Sequence, residues 1–428
     1  MPTPRLGIVT DGAETLTYAV RPGAIGKYLG QLALMLAALA LVPFVASLLF
    51  QEYPISLRYV AVIVPLALLG AGASRLSEPA HIQVNESLCI VALAFVLSPL
   101  IMLYPMLGAG LPWQDTLFEA VSAVTTTGLS TVGELADKPR SFLLARAWMQ
   151  WYGGLGIVVL SVALLMGHQM AARRLTEPVS GETLASTARA FARRMLVVYV
   201  GLTLLFLFLL WWLIGDGFVA LTHTLAAVST GGFSSFNDSL AGVDGWSARY
   251  AIILAGLCGA IPLSLYYQLW QGDWREVLGD AELRALLLFT LLITALLGSL
   301  FVFNQGLPWP EALRHALVIG ASAQSTAGFT TLPIGEQDNS AKLGLILSMF
   351  IGGGVGSTAG GIKVLRLLIL FRVLQVFLQR TAMPSHAVAE PQLSGKRIEG
   401  DDIQRVMMLM LLFVAVIFLS WFAFIAYG

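Results

Sequence analysis

Charged residues are scarce in this chain of 428 residues: they make up 12%, against 57% hydrophobic residues. A soluble globular protein carries about 25% charged residues, so the composition excludes an ordinary soluble enzyme and a disordered protein. Acidic and basic residues balance at 25 each, which leaves no basic excess for binding nucleic acid. The class that remains is a multi-pass membrane protein.

Motifs for catalysis, metal binding or nucleotide binding are also lacking. The two cysteines, Cys89 and Cys258, lie in apolar runs and offer neither a disulfide framework nor metal-ligand spacing. None of the five histidines has a partner at the spacing of a zinc motif, and the chain has no phosphate-binding loop of the Gly-x-x-x-x-Gly-Lys type. The sequence therefore predicts neither an enzyme nor a protein with a cofactor.

Long apolar runs are abundant. A helix that crosses a bilayer needs about 20 apolar residues, and the N-terminus lacks a signal-peptide layout. With the N-terminus in the cytoplasm, inside segments hold 18 of the 25 Lys and Arg residues, the asymmetry typical of cytoplasmic loops. We therefore predict an all-α integral membrane protein. Its nine apolar runs lie near 29–50, 56–74, 86–106, 140–167, 194–214, 247–271, 282–304, 341–378 and 403–427.

The predicted outside segments contain several acidic residues, among them Asp115, Glu119, Asp216 and Glu311. One interpretation is that they raise the local concentration of cations. The other is that they are ordinary solvated loop charges. The sequence leaves both interpretations open.

Three outside segments share one pattern, an apolar half-span that ends in a Thr-x-Gly cluster. The clusters end at Gly128, Gly232 and Gly328, which are 104 and 96 residues apart. Each glycine has a threonine two residues before it, an alanine five before and a leucine eleven before. The chain thus repeats a unit of span, short helix, loop and span about every 100 residues.

The physics of this unit points to a cation filter. A short helix that stops inside the bilayer exposes a C-terminal end with a partial negative charge. Irregular backbone at that depth is tolerated only where it lines a cavity, and glycine permits the left-handed conformation that such a loop needs. Rings of backbone carbonyls replace the water shell of a monovalent cation. The alternative is that these are small residues for helix packing.

The loops Thr125–Gly128, Ser229–Ser234 and Ser325–Phe329 resemble the filter loops of the Trk/Ktr/HKT superfamily of potassium transporters. The resemblance extends from about Asn85 to Tyr427, and the two extra N-terminal spans are similar to those of TrkH-type pore-forming subunits. It implies two N-terminal spans followed by repeated helix–pore-loop–helix units around a pseudo-fourfold pore.

The resemblance also implies that each loop supplies one quarter of a single pore. Selectivity for potassium over sodium is an implication of the resemblance and not of the loops themselves. The implied potassium-binding residues are Thr126, Thr127, Gly128, Thr230, Gly231, Gly232, Thr326, Ala327 and Gly328.

The sequence Ser-Thr-Ala-Gly of the third loop recurs at 357–360. Only 32 residues separate Gly328 from Gly360, whereas two spans and a pore helix need more than about 50. The second copy is therefore not a fourth filter, and it interrupts the run at 341–378 instead.

The resemblance implies that this segment is an intramembrane gate below the filter, with glycines that let it swing aside. Lys363 either acts on ions at the gate or extends to the cytoplasmic interface. The candidate gate residues are Gly352, Gly353, Gly354, Gly356, Ser357, Thr358, Gly360, Gly361 and Lys363.

The repeat spacing places a fourth filter near or beyond residue 428. We expect a C-terminally incomplete chain of a four-unit protein, with a truncated, inactive chain as the alternative. The predicted organisation is a cytoplasmic tail (1–28), a two-helix unit (29–84), pore unit 1 (85–167), a cytoplasmic loop (168–193), pore unit 2 (194–271), pore unit 3 (282–378, with the gate at 352–361), a second cytoplasmic loop (379–402) and the first helix of pore unit 4 (403–428).

The predicted function is potassium uptake across the plasma membrane, the inner membrane of a bacterium, with the ion as substrate and no cofactor. The resemblance implies a cytosolic nucleotide-binding regulatory subunit of the TrkA type and a homodimer. The alternative function is a sodium-coupled secondary carrier with broken helices.

Overall fold

The structure is a computed structural model, and the fold that it shows confirms the predicted all-helical membrane protein. Within the described ranges, the only strands are the short antiparallel pair Gln392–Leu393 and Lys396–Arg397 (β1 and β2). Parts of the predicted tail and of both predicted cytoplasmic loops lie outside those ranges. The structure describes residues 22–75, 84–173, 184–382, 391–393 and 396–427.

The chain divides into two compact units, one up to Gly108 and the other from Ala109. The first unit contains α1 (Pro22–Leu49), α2 (Tyr53–Ala73) and α3 (Val84–Met106). Small residues let α1 and α2 approach closely, as is common between membrane helices. A Cβ on Gly70 would lie 2.8 Å from the carbonyl oxygen of Gly30.

The second unit holds all three predicted filter loops. Each loop follows a short helix, and the long helices alternate with these. In chain order the helices are α4 (Trp113–Val124), α5 (Arg140–Arg173), α6 (Leu184–Ile214), α7 (Gly217–Val228), α8 (Trp246–Ala260), α9 (Leu263–Gln271), α10 (Trp274–Gly279), α11 (Ala281–Gln305), α12 (Trp309–Gln324), α13 (Asn339–Ile351), α14 (Val364–Arg380) and α15 (Gly400–Tyr427).

Six of the nine predicted runs coincide with single helices that are long and apolar enough to cross a bilayer. The run at 247–271 is instead a pair of helices, α8 and α9, bent by 90°. Ile261 is extended and is followed by Pro262. Proline disfavours helical backbone at the preceding residue and has no N–H to donate, which explains the break.

The predicted interruption of the run at 341–378 is confirmed. Helix α13 ends at Ile351 and α14 begins at Val364, with the glycine-rich segment between them. The run at 140–167 lies within α5, a single helix of 34 residues.

The three short helices, α4, α7 and α12, pack among the long ones. Helix α5 contacts both α4 and α7, and α8 contacts both α7 and α12. Ile319 of α12 packs in one buried cluster with Leu297 and Phe301 of α11 and Leu345 of α13. Burial of such side chains contributes about 1.5–3 kcal/mol each, and it holds α12 against α11 and α13.

Candidate functional site

The three predicted filter loops have the same backbone conformation. Each has positive φ at its threonine and again at its glycine, two residues later. A positive φ is strained for a β-branched residue and persists only where the surrounding structure enforces it. The angles are 55° at Thr126, 52° at Thr230, 57° at Thr326, 76° at Gly128, 81° at Gly232 and 84° at Gly328.

The threonine strain comes from the way each short helix ends. The threonine amide donates to the alanine carbonyl three residues earlier, and the next amide donates to the carbonyl five residues earlier. This is the Schellman motif, whose left-handed position is usually a glycine. The bonds are Thr126–Ala123 (3.0 Å), Thr127–Ser122 (2.9 Å), Thr230–Ala227 (2.8 Å), Gly231–Ala226 (2.7 Å), Thr326–Ala323 (3.0 Å) and Ala327–Ser322 (3.0 Å).

The three loops are neighbours in space. A Cβ on Gly128 would overlap the carbonyl oxygen of Gly231, and a Cβ on Gly232 would overlap the carbonyl oxygen of Ala327. Glycine at these two positions therefore permits both the positive φ and the close approach. A Cβ on Gly328 would meet no atom of the described residues, so only its φ constrains that position.

A polar side chain on each short helix braces the segment that follows the glycine. This side chain is a glutamate on α4 and a histidine on α7 and on α12. The contacts are Glu119 Oε1 with the Thr131 amide (2.8 Å), His223 Nε2 with Ser234 Oγ (3.0 Å) and His315 Nδ1 with Thr331 Oγ1 (2.8 Å).

Arg146 of α5 joins the first two loops through a buried ion pair and a contact with an aromatic ring. Arg146 Nε lies 2.8 Å from Glu119 Oε2, and the side chains are 2% and 0% exposed. The guanidinium carbon of Arg146 also lies 3.9 Å from the centre of the Phe233 ring. Glu119 is therefore not a solvated loop charge, because α4 and α5 turn Glu119 and Arg146 toward each other. The pairing offsets part of the cost of burying each charge.

Three further polar side chains contact the second filter loop or the predicted gate segment, and none of them is among the predicted site residues. Their bonds are Gln150 Nε2 to the Gly231 carbonyl (2.6 Å), Gln324 Nε2 to the Gly352 carbonyl (2.7 Å) and the Val355 amide to Glu282 Oε2 (2.7 Å). The available signal for Gln150 was an isolated polar residue in an apolar run.

The predicted gate segment lies against the second and third filter loops. Thr358 Oγ1 donates to the carbonyl of Val228 at 3.0 Å, and the Gly360 amide donates to Thr326 Oγ1 at 2.7 Å. The Thr358 amide also donates to the Gly259 carbonyl of α8 at 3.0 Å. Thr358 is 1% exposed, so the segment is wedged between the filter loops and the end of α8.

The gate glycines have a packing role beyond the predicted freedom to move. Positive φ occurs at Gly352, Gly356 and Gly361. A Cβ on Gly352 would overlap the Gly360 carbonyl oxygen, and a Cβ on Gly353 would lie 2.8 Å from the Ala260 carbonyl oxygen. Glycine is thus what allows the segment to fit where it lies.

Lys363 ends the gate segment with a φ of 79°. Its ammonium group donates to the carbonyl of Ala359 and so turns back onto the segment. This bond keeps the ammonium group against the gate segment.

Known proteins are similar to this chain in sequence and in fold. A family model described as TrkH, cation transport protein, matches residues 63–427. The chain belongs to the TrkH family. Because this is a family of membrane transport proteins and not of enzymes, the chain is a multi-pass membrane protein of a transporter family.

Relatives of this TrkH-family chain include the Trk system potassium uptake protein TrkH of Escherichia coli K12. It is 31% identical over 328 residues, which cover 73% of this chain and 66% of that protein. An uncharacterized cation transporter of Methanocaldococcus jannaschii is 26% identical over 410 residues, covering 94% and 82%. The crystal structure of the potassium transporter TrkH from Vibrio parahaemolyticus matches with a TM-score of 0.78 at 27% identity, covering 92% and 82%.

Proposed function

We propose that this protein carries potassium across the plasma membrane, the inner membrane of a bacterium, through a filter to which the three loops contribute. The observation that carries the proposal is the threefold recurrence of one backbone conformation in neighbouring loops. The names of the relatives in Escherichia coli and Vibrio parahaemolyticus, which refer to potassium uptake and potassium transport, support the choice of ion.

The proposed ligands are those that the sequence predicted, from Thr126–Gly128, Thr230–Gly232 and Thr326–Gly328. Each loop follows the C-terminal end of a short helix, where the partial negative charge favours a cation. Backbone carbonyls and threonine hydroxyls are oxygen ligands that replace the ion's water shell. Potassium is then a substrate that follows its gradient or the membrane potential, and the transport step requires no cofactor.

The proposed gate is the segment 352–363. Its contacts with Thr326 and with the Val228 carbonyl put it beside the filter loops, where irregular backbone belongs to an ion path. In the present conformation its amides donate hydrogen bonds to α8 and α11, and it accepts one from Gln324 of α12. Opening requires that these bonds break.

We further propose a homodimer and a regulatory subunit of the TrkA type as partners, on the strength of the family resemblance. Residues 176–194 and 372–405 are the candidate docking segments. Scrambling both should abolish co-purification of the regulatory subunit, and retained binding would remove them as candidates.

The alternative, a sodium-coupled carrier, also predicts broken helices, and the α8–α9 and α13–α14 breaks would suit it. It does not account for three loops with the same cap and the same left-handed glycine. The potassium filter is therefore the better-supported function.

The test is replacement of Gly128, Gly232 and Gly328 by serine, one at a time, with rubidium and sodium flux measured in liposomes that contain the intact protein. We expect a lower rubidium-over-sodium ratio in each variant. The effect should be larger at Gly128 and Gly232, where a Cβ would overlap the next loop, than at Gly328. Unaltered uptake and selectivity in all three would overturn the assignment.

A further inference from the structure

The buried side chain of Gln150 on α5 forms hydrogen bonds with the second filter loop, which follows α7. It is 0% exposed, and its amide contacts the second filter loop on both sides of Gly232. Nε2 donates to the carbonyl oxygen of Gly231 at 2.6 Å, and Oε1 accepts from the amide of Phe233 at 3.3 Å. One side chain thus supplies both a donor and an acceptor to a loop that follows a different short helix.

The Gly231 peptide is confined from two directions. A Cβ on Gly128 would overlap its carbonyl oxygen, and a Cβ on Gly231 would lie 2.6 Å from Oε1 of Gln150. A glycine has wide freedom in φ and ψ. The peptide group that carries the Gly231 carbonyl therefore needs such contacts to keep one orientation. Gln150 is the side chain that provides a directed bond to this carbonyl.

Building on the proposed potassium filter, we propose that Gln150 is a positioning residue for cation selectivity. It holds the Gly231 carbonyl toward the first loop and so determines which oxygens of the second loop face the ion path. Selectivity between potassium and sodium depends on the number and arrangement of those oxygens.

The chemistry of the side chain explains why an amide occupies this position. An amide carries a donor and an acceptor side by side, whereas an ionised carboxylate only accepts. Gln150→Glu would therefore place a carboxylate oxygen against the Gly231 carbonyl oxygen. Gln150→Met would leave the buried Gly231 carbonyl and the buried Phe233 amide without their hydrogen-bond partner. An unsatisfied buried polar group of either kind destabilises the protein.

The experiment measures rubidium and sodium flux in liposomes for Gln150→Glu, Gln150→Met and the control Gln337→Met. Gln337 is also a buried glutamine, but its amide bonds to Gln305 and Pro333. We expect the rubidium-over-sodium ratio to fall roughly two- to tenfold in both Gln150 variants, the factor that one hydrogen bond of ordinary net strength contributes. The control should keep the ratio of the unmodified protein.

The outcomes separate this inference from the proposed function. An unchanged ratio in the Gln150 variants, alongside a lowered ratio in Gly232→Ser, would overturn the role of Gln150 and leave the filter standing. If the rubidium-over-sodium ratio is unchanged in the glycine variants as well, the proposed filter is itself contradicted. A loss of flux with an unchanged ratio would assign Gln150 to structure alone. If Gln150→Met does not assemble, Gln150→Glu has nearly the same size and shape and decides the question.

Discussion

The sequence Ser-Thr-Ala-Gly occurs twice in this protein, at 325–328 in the third filter loop and at 357–360 in the gate segment. In the first copy Thr326 and Gly328 have φ of 57° and 84°. In the second copy neither Thr358 nor Gly360 has positive φ. Four identical residues thus adopt two different backbone conformations.

The difference lies in what precedes each copy. The first follows the 16-residue helix α12, and the Thr326 amide bonds to the helix carbonyl of Ala323. The second follows a run of three glycines, and the Thr358 amide bonds to the Gly259 carbonyl of another helix. A Schellman cap requires helix carbonyls three and five residues back. The position relative to a helix end, and not the tetrapeptide, therefore determines which copy forms a filter loop.

The largest expected effect is at the start of the gate segment. Gly352→Ala would place a Cβ at a φ of 72° and against the Gly360 carbonyl oxygen. Left-handed strain and overpacking together cost roughly 2–5 kcal/mol. We expect a lower melting temperature and a higher sodium leak in liposomes without a regulatory partner.

Gly335→Ala is the matched control, because a Cβ there meets no atom within 4 Å and its φ is not positive. It should leave both the melting temperature and the leak unchanged. If liposomes with the Gly352→Ala variant leak no more sodium than liposomes with the unmodified protein, the segment does not restrict ion flow.

The next largest effect is expected from a comparison of Gly328 and Gly360, the glycines that end the two Ser-Thr-Ala-Gly copies. Gly328→Ala imposes left-handed backbone on an alanine, at a cost of roughly 1–2 kcal/mol, and should lower the rubidium-over-sodium ratio. Gly360→Ala has ordinary φ, and its Cβ would lie 3.5 Å from Thr326 Oγ1, a normal contact. It should keep the ratio of the unmodified protein.

Flux measurements on both variants in the same liposome preparation provide the check. A ratio lowered equally by the two substitutions would mean that both copies line the filter. That result would contradict the assignment of the second copy to a gate segment separate from the filter loops.

The repeat, the three loops and the break in the run at 341–378 were predictable because each is encoded within one stretch of sequence. Their signals are spacing, apolar length and glycine content, which depend only on neighbours along the chain. The bend of 90° at Pro262 had a local signal, the proline itself, but the apolar run on both sides outweighed it.

The contacts between repeats could not be predicted in the same way. Gln150 and Gly231 are 81 residues apart along the chain. The partner of Arg146 is Glu119 on the preceding short helix, and a count of loop charges does not reveal that both face inward. The sequence indicates where each filter loop lies, whereas the side chains that hold the loops together emerge only from tertiary packing.

The smallest expected effect concerns the anchor of the gate segment on α11. Glu282 Oε2 accepts from the Val355 amide at 2.7 Å and interacts electrostatically with Lys363 and Arg366. Glu282→Gln keeps an oxygen that accepts the bond but cannot ionise. Since hydrogen bonds to charged groups exceed neutral ones by about 1 kcal/mol, the sodium leak should rise by about fivefold or less.

Glu336→Gln is the control, because Glu336 is an exposed acid in the segment between the third filter loop and α13. It removes the same charge from the protein without touching the gate segment, so its leak should match that of the unmodified protein. A leak raised equally by both variants would point to the net charge of the protein instead of the bond to Val355. If Glu282→Gln raises the leak while the rubidium-over-sodium ratio stays constant, the gate segment and the filter loops respond separately, although the Gly360 amide and Thr326 Oγ1 are only 2.7 Å apart.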